Sequence, residues 1–175
     1  STAPPDNPTN NVHLQKTDSF RLRIATFNVS SAEYSDLIKI SNALKDYYFD
    51  VLCITEVPSS IWSEKLGQLI SLDYSYTGEI SSANKKAKLK SILSRYPLQN
   101  TREYLLNGKG WKPASIIKAD LEKQGAIFSI YNIQICKAGS LKGSYADILS
   151  NDLIERFYAD KLIIAGDFDL TAEDP

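Results

Sequence analysis

The sequence predicts a single α/β domain, and three observations carry that prediction. RIATFN at 23–28, VLCITE at 51–56 and LIIAGDFD at 162–169 are short, β-branched apolar runs that each end in an oxygen-bearing side chain. Segments with helical spacing follow the first two of these runs. Between residues 88 and 135 several strand-like pieces succeed one another with no helical pattern between them, an order that favours antiparallel neighbours. Runs that are apolar on both faces suit strands buried on both sides. Asn28, Glu56 and Asp167 are therefore placed at strand ends. In open α/β sheets ligands bind outside the carboxyl ends of the strands, so the three become candidates for one site.

The first run predicts a strand ending at Asn28. After it, Ser30 with Glu33 fits a capping box, and Leu37, Ile40, Leu44, Tyr47 and Tyr48 recur at helical spacing. VLCITE predicts the second strand. Pro58, Ser59 and Ser60 then supply a stop and a cap for a second amphipathic helix marked by Trp62, Leu66, Leu69 and Ile70. KLKSILS, REYLL, ASIIKADL and AIFSIYNIQI predict the successive strands, divided by Pro97, the stretch Asn107 to Gly110, and Gly125. Tyr145, Ile148, Leu149, Leu153 and Phe157 predict another helical face before the run that ends in GDFD.

A chain of 175 residues, 43% hydrophobic, is long enough to bury one sizeable core. Its formal net charge of -1 provides no global field that would draw it to nucleic acid or an anionic membrane, so a phosphate-bearing partner must meet a local patch. No run approaches the ~18 apolar residues of a membrane helix. Residues 1–19 carry three of the seven prolines and no apolar period. They predict a flexible leader ahead of a domain over 20–175, and the Pro/Asn-rich leader leans towards an exported, extracytoplasmic protein. His13 is the only histidine and has no second imidazole or acid cluster beside it, so it is expected to be a solvated tail residue. Cys53, inside a strand, and Cys136, just after another, have no disulfide spacing signature and suit small buried residues.

Four residue sets carry possible chemistry. Glu56 ends a buried strand with no Lys or Arg beside it in the sequence, so its desolvation calls for a partner. A hard cation such as magnesium would serve, and a surface glutamate is the plainer alternative. Asp167 and Asp169 flank Phe168 and share one side of an extended segment, where they face a phosphate or water, or cap the next turn. The run NKKAKLK sets Lys85, Lys86, Lys88 and Lys90 ahead of a strand, with Arg95 and Tyr96 after it. A solvated loop face is its simpler reading and contact with a phosphodiester backbone its functional one. Asn132 and Gln134 point the same way at the end of another strand, as an amide pair at a ligand or as ordinary polar edge positions.

Taken in order, RLRIATFNVSS, DVLCITEV, SILSRYPL, IYNIQICKAG and KLIIAGDFDLTAEDP closely resemble successive blocks of the endonuclease/exonuclease/phosphatase superfamily, over about residues 21–175. The resemblance implies a four-layer α/β/β/α sandwich of two mixed sheets flanked by helices. It implies a metal-dependent phosphoesterase or nuclease with magnesium, manganese or calcium as cofactor. Nucleic acid or a phospholipid headgroup is the implied kind of phosphate-ester substrate. Block by block, Asn28 and Glu56 fall on the family's metal site, and Asp167 on the aspartate that orients the attacking water. Asp169 and Gln134 fall on further catalytic positions, and Asn132, Arg95 and Tyr96 on expected substrate contacts.

Three departures accompany the match. Gln134 stands where the family has a histidine, and an amide neither takes up nor releases a proton near neutral pH. Asp169 replaces an asparagine and adds a negative charge that repels phosphate in the absence of a cation. The family's closing serine-aspartate-histidine block has no counterpart before Pro175. These departures predict either a piece of a longer chain, with its last strands beyond Pro175, or a member that binds on the same fold without turnover.

Overall fold

The structure, a computed structural model, describes residues 21–30, 36–81, 88–106, 114–134 and 161–167. They form two four-stranded mixed sheets packed face to face, with helices on one outer side. In chain order the elements are β1 (Ile24–Asn28), α1 (Leu37–Leu44), a 3-10 turn (Lys45–Tyr47), β2 (Val51–Val57), α2 (Ser60–Leu69) and β3 (Tyr74–Thr77). They continue with β4 (Leu89–Ser94), β5 (Leu98–Leu106), β6 (Ala114–Lys123), β7 (Ala126–Gln134) and β8 (Lys161–Asp167). The first sheet runs β1-β2-β4-β3 and the second β5-β6-β7-β8. β1 lies parallel to β2, and β7 parallel to β8; every other pairing is antiparallel.

Alternation along the strands splits the core in two. Leu52 and Ile54 of β2 and Leu93 of β4 turn outward against Trp62 and Leu66 of α2. Val51, Cys53 and Ile92 turn inward against Ile117, Ala119, Leu121, Phe128 and Ile130 of the second sheet. Burial between the sheets pushes the Cys53 thiol up to about 12, so it stays protonated and acts as a small apolar residue. Asn132 of β7 is fully buried and ties the sheets together, donating from Nδ2 to the carbonyls of Ile54 and Ser91 at 2.9 Å each.

Local chemistry explains the helix starts. Ser59 caps α2 by accepting the Trp62 amide at 3.2 Å, as Pro58-Ser59-Ser60 predicts. α1 begins at Leu37 behind Asp36, whose side chain makes no cap bond, and Ser30 sits in a left-handed conformation at the end of β1. Glu33 of the expected capping box lies outside the described residues, as do the leader, Cys136, Asp169 and the helical face over 145–157. β3, a short and half-exposed strand, is an element the sequence reading did not contain.

The expectation that the site-bearing strands are buried on both faces holds for β2 alone. β1 and β8 are half-exposed along much of their length, because among the described residues each pairs on one side only.

Candidate functional site

β1 and β2 run parallel in one sheet, and β7 and β8 in the other, and face-to-face packing brings the carboxyl ends of all four to one place. Asn28 is the link between the sheets. Its Nδ2 donates to Asp167 Oδ2 at 2.9 Å and to Glu56 Oε1 at 3.3 Å, while its Oδ1 accepts the Ser30 amide at 2.7 Å. Gln134, paired in register with Asp167, donates from Nε2 to the same Glu56 Oε1 at 2.9 Å.

The backbone sets Glu56 apart. Thr55 pairs with Lys90 and Val57 with Leu89, so Glu56 is the extra residue of a β-bulge, and its φ of 64° is one that few non-glycine residues adopt. Such a conformation costs about 1–3 kcal/mol and persists where the surroundings enforce it. The bulge re-aims the carboxylate from the strand face to the strand end. Gly166 does similar work in β8. Its φ is 138°, and an added Cβ would stand 1.9 Å from the Ile133 carbonyl oxygen, so only glycine lets the chain deliver Asp167 beside Gln134.

The sequence places no cation beside Glu56, but the fold supplies one. Lys88 Nζ forms an ion pair with Glu56 Oε2, and both side chains are largely buried. Burial alone would raise the Glu56 carboxyl; hydrogen bonds from Lys88, Gln134 and Asn28, with the charge of Lys88, outweigh it and hold the group below its ordinary value. The reading of NKKAKLK as a solvated loop face therefore fails at two of its lysines. Lys88 is 9% exposed and Lys90 1%, because Lys90 lies within β4 and Lys88 immediately before it, at the edge of the packed region. Lys85 and Lys86 lie outside the described residues.

The expected substrate contacts are dispersed. Both Asn132 Nδ2 hydrogens go to carbonyls of the first sheet, while its buried Oδ1 has no hydrogen-bond partner among the described residues. Arg95 and Tyr96 stand at the far end of that sheet, since Ser94 pairs with Val51 at the start of β2 rather than with its end. There Arg95 donates to the Phe49 carbonyl at 3.1 Å, and the Tyr96 hydroxyl lies 3.4 Å from Asp50 Oδ1. Asp50 also accepts the Arg23 amide at 2.8 Å and Lys123 Nζ at 3.1 Å, which makes this end a clamp between the sheets.

A cleft of about 270 Å³ opens beside the cluster, lined by Thr26, Phe27, Asn28, Thr55, Gly166 and Asp167 among others. Thr55 Oγ1 is buried there with no hydrogen-bond partner among the described residues. No group of three or more His, Cys, Asp or Glu side chains gathers among the described residues. The donors at hand are two carboxylates, an amide and a hydroxyl, an all-oxygen set. Magnesium is held by one or two carboxylates together with water and substrate phosphate, so the set fits a hard divalent cation.

Similarity to known proteins lies in the fold. The Staphylococcus aureus beta toxin superposes with a TM-score of 0.69 at 15% identity over 89% of this chain and 68% of that one. An endonuclease/exonuclease/phosphatase family protein from Leptotrichia buccalis superposes at 0.64, with 14% identity over 87% of this chain and 68% of the other. One from Bacteroides thetaiotaomicron gives 0.63 and 14%, over 87% and 65%. No protein-family model matches the sequence, and no curated protein matches it. The chain has the fold of the endonuclease/exonuclease/phosphatase superfamily, an α/β sandwich of two mixed sheets. No helix among the described residues is long and apolar enough to cross a membrane.

Proposed function

We propose that the chain is a divalent-cation-dependent phosphoesterase whose reaction centre is the cluster of Asn28, Glu56, Gln134 and Asp167. The observation that carries this reading is the convergence of four strand ends from two sheets on one cluster, in which Asn28 donates to both Glu56 and Asp167 and Gln134 donates to Glu56. Glu56 and Asp167 would hold the ion, with Asn28 turned to offer its Oδ1. A bound magnesium, manganese or calcium ion supplies a Lewis acid that neutralises phosphoryl charge and lowers the pKa of a bound water. Asp167, at the rim of the cleft, accepts a hydrogen bond from the attacking water through a carboxylate oxygen and so orients it towards phosphorus. Gln134 positions Glu56 and transfers no proton. The leaving oxygen then departs without a histidine-type acid at this position, which lowers the rate by about 10²–10⁴ relative to a site that has one.

The substrate class is a phosphate ester, with a nucleic acid backbone or a phospholipid headgroup as natural sources. An extracytoplasmic location, drawn from the leader, belongs to the same proposal. The test compares bis(4-nitrophenyl) phosphate with an alkyl phosphodiester, in magnesium and in EDTA, for the wild type and Glu56→Gln. Magnesium-dependent hydrolysis of the activated ester, lost in Glu56→Gln, is expected. Equal rates in magnesium and EDTA would refute the reading. A second reading is a binding module that keeps the sandwich without turnover; Gln134, engaged with Glu56 where a proton carrier would stand, favours it. Cation and phosphate binding with no hydrolysis of the activated ester would select that reading.

A further inference from the structure

We propose that Lys88 is a tethered counter-cation that closes the cluster, so that a divalent ion enters only by displacing its ammonium group from Glu56. The inference rests on the cation site proposed above and concerns how that site is gated. Each oxygen of Glu56 is already engaged: Oε1 accepts from Gln134 and Asn28, and Oε2 pairs with Lys88. Of these donors only Lys88 brings positive charge. Asp167 lies one amide away through Asn28, so the cluster gathers two carboxylates against one ammonium. Two carboxylates joined through one amide repel each other, and an ammonium or a metal offsets that repulsion.

Placement makes the lysine a gate rather than a fixed strut. Lys88 stands immediately before β4, and Leu89, the next residue, pairs with Val57 just past the Glu56 bulge. That register points the ammonium at the bulged carboxylate across the strand pair. The Lys88 amide is held by Ser81 Oγ at 3.2 Å, which fixes the backbone while four side-chain torsions stay rotatable. An arriving divalent ion brings twice the charge to the same oxygen, and the released ammonium remains within reach of a phosphate bound beside it. Ion and phosphate together then replace one internal ion pair with several stronger contacts, whereas the ion alone gains little. The geometry thus predicts weak metal binding on its own and tighter binding when a phosphate group is present.

The experiment titrates Mn²⁺ into the full chain and counts free ion by electron paramagnetic resonance, with and without inorganic phosphate. Wild type is compared with Lys88→Met, Lys88→Gln and Glu56→Gln, each first checked for a wild-type circular dichroism spectrum. Removing the ammonium should tighten Mn²⁺ binding by roughly tenfold to a hundredfold, the equilibrium weight of a charge-assisted hydrogen bond. Phosphate should tighten binding in wild type. Using both Lys88→Met and Lys88→Gln keeps the test open if one of them fails to fold. Affinity unchanged in the Lys88 variants, with binding abolished in Glu56→Gln, would overturn the gate and leave the cation site standing. Absence of Mn²⁺ binding in every folded variant would overturn both.

Discussion

Replacing Asn132 by alanine should destabilise the fold without touching the reaction centre. Its amide is fully buried between the sheets and donates two bonds of 2.9 Å, to the Ile54 and Ser91 carbonyls. Each bond contributes about 1 kcal/mol net, and truncation also strips two buried acceptors of a donor and leaves a small void. The sum is roughly 2–4 kcal/mol. For a chain of this size 1 kcal/mol moves Tm by about 2–4 °C, so the midpoint should fall by roughly 4–16 °C. Asn132→Leu, which keeps most of the volume, should lose nearly as much, because it restores neither bond. Calorimetry or circular dichroism melts of the three proteins provide the readout, with KM for an activated phosphodiester measured on the same samples. A midpoint within about 2 °C of wild type together with a raised KM would refute the argument and return Asn132 to the substrate-contact role that the sequence suggested.

Three further outcomes follow from the same geometry. Gly166→Ala forces a Cβ against the Ile133 carbonyl oxygen and should lower both Tm and phosphodiester hydrolysis, because the shift it demands moves Asp167; a wild-type melt and rate would contradict the steric argument. Burial would lower the Lys123 ammonium, but hydrogen bonds and charge from Asp50 and Tyr96 outweigh it and raise the group above its ordinary 10.5. A raised amine contributes stability that is full below its unfolded value and lost as pH climbs through the folded one, so urea midpoints should fall in strong alkali, with that slope reduced in Lys123→Met. Burial would likewise raise Asp120, yet hydrogen bonds from Ser129, Asn100 and Lys118 hold it below the ordinary 3.8; its stabilisation is present above that value and disappears as pH falls through the folded one, and Asp120→Asn should remove this acid-side loss.

The strands that carry the site were legible because their chemistry is local. Short β-branched runs closed by Asn28, Glu56 and Asp167 mark strand ends, and the Ser59 cap is written in three consecutive residues. What escaped the sequence depends on register. Lys88 reaches Glu56 because β4 folds back antiparallel on β2, a partnership across 32 positions that no local pattern encodes. The same register carries Arg95 and Tyr96 to the opposite end, where they serve the Asp50 clamp. A signal for Lys90 was present: two positions before Ile92 in KLKSILS, it shares a strand face with an apolar residue that belongs to the core. Asn132 and Gln134 share a face as expected, but depth separates them, one bonded to the backbone of the facing sheet and the other to a carboxylate at the rim. The half-exposure of β1 and β8 belongs to sheet order, which the runs themselves do not specify.

The most direct measurement is anomalous diffraction at the manganese edge from crystals of the chain soaked in Mn²⁺ and inorganic phosphate. One strong peak is expected about 2.0–2.6 Å from oxygens of Glu56 and Asp167, with the Lys88 side chain withdrawn from Glu56 and phosphate density beside the ion. An intact Lys88–Glu56 pair with no peak between Asn28, Glu56 and Asp167 would contradict the proposed cation site.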